Sequence, residues 1–239
     1  LRARAQGITG IKALILYPMN ALATDQAGRL APRDAARLWA RYSRMHAEVA
    51  LGQFLDVAAE QAPLDPGDPG AMDTGAAMEV VVRKSARYSI VHPAALGAIC
   101  GGADDALIAA IESILTPWGM AFQLRDDHLG VFGDPELTGK PSGDDIREGK
   151  RTVLLALAWQ RATDSERAVL CRALGRADAP GALIDEARQV IAARGGDAHE
   201  ELITSLVDQG RAHLREAPVS EQGRADLVGL CGIITRRAA

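Results

Sequence analysis

Phe122 to Leu155 reads FQLRDDHLGVFGDPELTGKPSGDDIREGKRTVLL. Its first third is apolar with helical spacing, its middle is rich in Gly, Asp and Pro, and its end turns apolar again, so it predicts helix, loop, helix. Gln123, Asp126, Asp127 and Gly130 lie three or four residues apart, which sets the amide and the aspartate pair on one side of a helix. Two adjacent carboxylates near a helix C-terminus are unfavourable unless a cation neutralises them, because the helix dipole already makes that end negative. All-oxygen ligands that leave room for water suit Mg2+, which commonly bridges carboxylates to phosphates. The loop then offers Lys140, Lys150 and Arg151 as cations for phosphate oxygens. Acid beside base in one stretch points to a metal-diphosphate site.

Outward from that stretch the pattern stays helical. Leu38, Tyr42, Met45, Val49, Gly52 and Leu55 recur at three- or four-residue spacing after Pro32, predicting one long helix to about Glu60. Pro63 to Gly75, with three prolines, three glycines and three aspartates, predicts a loop. Further helices are expected from about Ala76 to Val91, ending at His92-Pro93, and from Ala103 to Leu129 with a bend near Pro117. Beyond the Gly130–Gly149 loop come Lys150–Arg161, Ser165–Leu174, Ala182–Ala193, Ala198–Arg215 and Glu221–Arg237. Thr163 and Glu166 fit a capping box, and Gly195-Gly196 reads as a helix stop. The expected class is all-α. Residues 1–31 depart from it, since Ile11–Tyr17 (IKALILY) reads as a short buried strand before a helix starting near Asn20.

Composition narrows the function. The 239 residues are 48% hydrophobic with a net charge of -4, which excludes a disordered chain and gives no basic footprint for nucleic acid. No uninterrupted apolar run reaches the roughly 18 residues expected of a membrane span. Cys100, Cys171 and Cys231 are odd in number and far apart, which argues against a disulfide framework or thiolate zinc site and for a cytoplasmic setting. The chain starts at Leu1 without a signal-peptide pattern and reads as part of something longer.

The segment 122–155 resembles the second aspartate-rich region of the trans-polyprenyl diphosphate synthases. Upstream, EVALGQFLD (48–56) resembles that family's GQxLD helix, and RKSARYS (83–89) resembles its KTAxYS motif. The resemblance spans about residues 32–239 and implies the all-α isoprenoid synthase-type bundle, here incomplete. It implies a prenyltransferase of geranylgeranyl or farnesyl type, in which magnesium-assisted ionisation of an allylic diphosphate is followed by attack of isopentenyl diphosphate. Asp126 and Asp127 would hold the metal, Asp126 foremost, with Lys84 also in the catalytic set. Lys84, Ser85, Gln123, Lys140 and Lys150 would hold the allylic diphosphate. Gln53 faces the substrate cavity or is a packing amide. Phe122 lines the prenyl channel or is a core aromatic. His128 reads as a tolerated helix-surface histidine, and Gly130 stands where many members carry a third aspartate.

The family's first aspartate-rich motif and its accompanying arginines are not found before Gln53, and Asp104-Asp105 reads instead as a helix start. Reduced activity of this chain on its own is therefore expected. Residues 11–30, IKALILYPMNALATDQAGRL, resemble a segment of superfamily 2 helicases, without a phosphate-binding loop or DEAD-type acid pair. The division expected is thus a 1–31 stub and a 32–239 synthase-like domain. A non-catalytic partner subunit and a helicase-derived fusion fragment are the other readings. The resemblance also implies a homodimer or pairing with a complete synthase.

Overall fold

A computed structural model of the chain describes residues 25–134 and 142–235. The expected strand at 11–17, the helix near Asn20 and Lys140 lie outside them. Among the described residues there are helices and no strand. In order these are α1 (Pro32–Gln61), α2 (Thr74–Val80), a π-helix (Val81–Val91), α3 (His92–Cys100), α4 (Asp105–Phe132), α5 (Asp144–Glu148), α6 (Val153–Arg161), α7 (Asp164–Ala173), α8 (Gly181–Glu216) and α9 (Glu221–Thr235).

The core is built around α4. Its Ile108, Ile111, Ile114, Leu115, Trp118, Ala121, Leu124 and Val131 are buried, and it packs against α8 and the π-helix. Asp104 caps it by accepting from the Leu107 N–H at 2.8 Å, the favourable use of a carboxylate at a helix N-terminus. The helix runs unbroken through Pro117, which is itself buried. α4 is long and apolar enough to cross a membrane by length and composition alone. Its apolarity is explained by neighbours on several sides, a pattern that a central core helix shares with a membrane span.

Three expected helix ends moved. The helix expected to stop at Val91 continues through His92-Pro93 to Cys100, because Val81 and His92 both keep right-handed helical angles at the junctions. Pro93 falls in the first turn after the change from π to α spacing, where a missing N–H removes least. Gly195-Gly196 does not end a helix either, for α8 spans both. A Cβ at Gly195 would lie 2.8 Å from the Leu154 carbonyl oxygen, so this glycine lets α8 approach α6. Finally, the Gly130–Gly149 loop is shorter than expected, with α4 reaching Phe132 and α5 lying within it. The Thr163–Glu166 capping box forms as expected and starts α7.

Candidate active site

α1 turns one face inward, with Arg41, Met45, Glu48, Gly52 and Asp56 at three- and four-residue spacing. Gly52 is a point of contact with the π-helix. A Cβ there would stand 2.5 Å from the Lys84 backbone nitrogen and 2.9 Å from its Cα, so only glycine lets the two backbones approach this closely. One turn further along α1, the Asp56 carboxylate takes an ion pair and hydrogen bond from Lys84 Nζ. An 11-residue π-helix is unusual, since i→i+5 turns occur mostly singly and frequently at functional sites.

Between α1, α2, the π-helix, α4 and the start of α6 lies a cleft of about 230 Å³. Lys84 and Ser85 line it from the π-helix, Gln123 and Asp127 from α4, and Lys150, Arg151 and Thr152 from the segment entering α6. Asp56 completes it from α1, with Ala77, Val80 and Val81 as its apolar wall. Thr152 also caps α6, accepting from the Leu155 N–H at 3.2 Å, so the positive end of that helix opens beside the cleft.

The acidic centre is Asp127, 7% exposed. Gln123 Nε2 donates to its Oδ1 at 2.9 Å. Burial pushes the Asp127 carboxyl up to about 7, with the charges of Asp145 and Asp126 adding to the rise against the opposing Gln123 bond and Lys150. Asp145, on α5, is buried and receives Lys150 Nζ at 2.5 Å, and Glu148 meets the same ammonium at 3.1 Å. Burial disfavours the Lys150 charge, but these carboxylates outweigh it and hold its pKa above that of a free lysine. Asp145 sits against Gly130, where an added Cβ would come within 2.1 Å of its Oδ2. A glycine stands where many relatives are expected to carry an aspartate, and a carboxylate from the following loop occupies the space. Arg151 reaches the Ala59 and Glu60 carbonyls at 3.5 and 3.4 Å, and its Nη1 is buried without a hydrogen-bond partner.

Lys84, Ser85, Gln123, Asp127 and Lys150 meet in the cleft. Asp126 is exposed and does not line it, so the primary acid facing the cleft is Asp127. Gln53 also falls on an exposed face of α1, because the inward register of the GQFLD motif passes through Gly52 and Asp56. Phe122 is part-buried against the cluster of Ile90, Ile111 and Trp118, away from the cleft lining, as a core aromatic. His128 is not a surface residue: it is half-buried, 4.9 Å from the Phe132 ring and 6.3 Å from that of His199. Asp56, Asp145 and Thr152 were missed. For Asp145 the available signal was the GDD triplet ahead of Lys150, five residues on.

Among the described residues no three carboxylate, histidine or cysteine side chains converge as a complete metal cage. Magnesium does not require one, because it commonly keeps several waters and takes one or two carboxylates plus phosphate oxygens. A carboxyl driven toward neutrality first by burial and then by two acidic neighbours fits that cation, whose charge would favour the ionised form and relieve the repulsion.

Comparison with known proteins bears on the same residues. The Polyprenyl synthetase family profile matches residues 12–191, so it takes in all but the first residue of the 11–30 stretch expected to be helicase-like, and the helicase reading is not supported. Geranylgeranyl diphosphate synthase of Mycobacterium tuberculosis is 37% identical over 146 residues, covering 60% of this chain and 40% of that protein. The synthase of the same name from Saccharolobus solfataricus is 34% identical over 129 residues, 54% of this chain and 39% of its own length. A crystal structure of geranylgeranyl pyrophosphate synthase from Corynebacterium glutamicum, complexed with isoprenyl diphosphate and magnesium, superposes with a TM-score of 0.79 at 38% identity. It covers 87% of this chain, which spans 57% of it. The chain thus spans about two fifths of these curated relatives and under two thirds of the solved one. An all-helical bundle, three motifs in order and a profile match over most of the sequence agree, and the chain belongs to the polyprenyl synthetase family.

Proposed function

We propose that this chain binds an allylic diphosphate together with Mg2+ and belongs to a prenyltransferase that condenses it with isopentenyl diphosphate. The observation that carries the reading is the cleft itself, where Lys84, Lys150 and Arg151 stand opposite buried Asp127 around a volume of about 230 Å³. Lys84, Ser85 and Lys150 bind the diphosphate oxygens, with the N-terminal end of α6 beside them. Gln123 orients the Asp127 carboxylate through its 2.9 Å bond. Asp127, with Asp126 and Asp145 nearby, holds the metal. Bound magnesium supplies charge that offsets the departing pyrophosphate. The first aspartate-rich motif is not found upstream of the GQFLD helix, so elongation by this chain alone is weak while diphosphate binding persists.

Calorimetric titration with inorganic pyrophosphate in the presence and absence of Mg2+, followed by turnover of labelled isopentenyl diphosphate with an allylic primer, tests this. Magnesium-dependent pyrophosphate binding that weakens about tenfold in Lys84→Ala and disappears in Asp127→Ala is expected. Absence of binding sinks the assignment, and vigorous elongation refutes the weak activity.

A second copy of the chain is the proposed partner. α1 carries an exposed, uncharged stripe in which Ala36, Ala40 and Ser43 precede Leu51, Phe54 and Val57, with Phe54 68% exposed. Two such helices packed antiparallel about a two-fold axis set the bulky half of each against the small half of the other, and Arg33 near Glu60. Sedimentation should find a dimer that Phe54→Glu splits, and a monomeric wild type overturns the pairing.

A further inference from the structure

The π-helix that presents Lys84 and Ser85 carries a second set of contacts to α1. Arg87 Nε donates to Glu48 Oε2 at 2.6 Å, and His92 Nε2 meets the same oxygen at 2.8 Å. Arg87 and His92 are five residues apart, and the His92 backbone N–H bonds to the Arg87 carbonyl, the i→i+5 link that defines π spacing. In an α-helix, residues five apart point about 140° away from each other. One carboxylate oxygen could not collect both side chains from that geometry. It collects them here because the π turn stacks them.

We propose that Glu48 is a positioning residue that locks the π register of segment 81–91 and thereby sets Lys84 and Ser85 on the cleft. The inference rests on the diphosphate-binding reading of that cleft. Glu48 lies on α1 one turn before Gly52, the point where the α1 backbone meets the Lys84 backbone. Register and approach are therefore fixed within two turns of one helix. His92 is fully buried, and Arg87 Nη2 is buried without a partner, so Glu48 is the carboxylate on which the Arg87 charge depends among the described contacts. Arg41 adds a 3.4 Å contact to the other His92 nitrogen and pairs with Glu112 of α4, tying the same node to the central helix. A third Glu48 partner, Arg44 at 2.7 Å, belongs to α1 itself and carries no register information.

That difference supplies the test. Glu48→Gln keeps the size and one acceptor but removes the charge, whereas Arg44→Ala removes a Glu48 contact without touching the π-helix. Hydrogen exchange on the free protein should show faster exchange for amides 84–92 in Glu48→Gln, with α7 and α8 unchanged, and no change in Arg44→Ala. Magnesium-dependent affinity for inorganic pyrophosphate should fall about tenfold in Glu48→Gln, within the range a small misplacement produces. In a Lys84→Ala background the same substitution should change affinity less than twofold, because Glu48 acts through Lys84. Glu48→Asp, which retains the charge, should recover part of the loss. Unchanged exchange across 84–92, or a loss that adds fully to that of Lys84→Ala, overturns the proposal. If wild-type protein binds no pyrophosphate, the functional reading falls while the exchange experiment still decides the register lock.

Discussion

Replacing Asp127 by asparagine should stabilise the metal-free protein at alkaline pH, an unusual outcome for a buried residue with a functional assignment. The folded protein raises this carboxyl from an ordinary 3.8 to about 7, first through burial and then through Asp145 and Asp126. Below pH 3.8 the group is protonated whether folded or unfolded, and it contributes no pH-dependent penalty. Between 3.8 and 7 the unfolded chain ionises while the folded one keeps its proton, so the penalty on the native state grows with pH. Above 7 it is complete, at about 1.4 kcal/mol per pH unit or roughly 4 kcal/mol in total. For a chain of this size that corresponds to roughly 8 to 16 °C in melting temperature. Asparagine carries no such penalty and can keep the Gln123 bond through its side-chain oxygen. Thermal melts of wild type and Asp127→Asn in EDTA at pH 5, 6.5 and 8 should therefore diverge steadily, with the variant higher. Millimolar Mg2+ at pH 8 should then raise wild type and leave the variant unmoved, closing the gap. A difference that is constant with pH, or a variant less stable at pH 8, would refute the electrostatic account of this site.

Two further outcomes follow from the packing around α4. Gly130→Asp restores the aspartate expected of many relatives but drives its Cβ to 2.1 Å from the Asp145 carboxylate, so it should destabilise by about 1 to 3 kcal/mol in urea titrations. The same change made together with Asp145→Gly should recover most of that loss, and simple additivity would count against the shared space. His199 is fully buried with both ring nitrogens unpartnered, and burial together with His128 lowers its pKa to about 4. Its penalty is absent above pH 6.5 and grows as pH falls toward 4, amounting to about 3 kcal/mol. His199→Leu should accordingly flatten the acid side of the stability profile, read as urea midpoints at pH 7.5 and 4.5, and an equal midpoint shift at both would dismiss the idea.

Local signals in the sequence carried much of the architecture. The Leu38–Leu55 periodicity marks α1 because an amphipathic helix writes its buried face at 3.6-residue spacing, and Thr163 with Glu166 marks a helix start because both bonds close within four residues. Signals that depend on what lies across the core were silent. Gly195 looks like a stop until α6 is seen against it. The π-helix has no template in α periodicity, since Arg87 and His92 share a target only once the spacing is five. Within the site, the RKSARYS and FQLRDD motifs pointed to Lys84, Ser85, Gln123 and Asp127, whereas in GQFLD the sequence pointed to Gln53 and the structure brings Asp56 to the cleft instead. Choosing between those two requires the rotation of α1, and Gly52 against the Lys84 backbone sets that rotation.

The Gly130–Asp145 contact also has a kinetic side. Asp126 and Asp127 are joined as soon as α4 forms, but the third carboxylate arrives from beyond the 133–143 connection and is held by Lys150, which must itself be carried in by the approach to α6. An α4 that has formed alone carries an ordinary acidic pair, well hydrated and of low cation affinity. The crowded, dehydrated centre exists only after α5 has docked. Cation binding should therefore lag behind helix formation during refolding, and magnesium added early should leave the first, helix-forming phase unaltered while slowing the reverse, unfolding step.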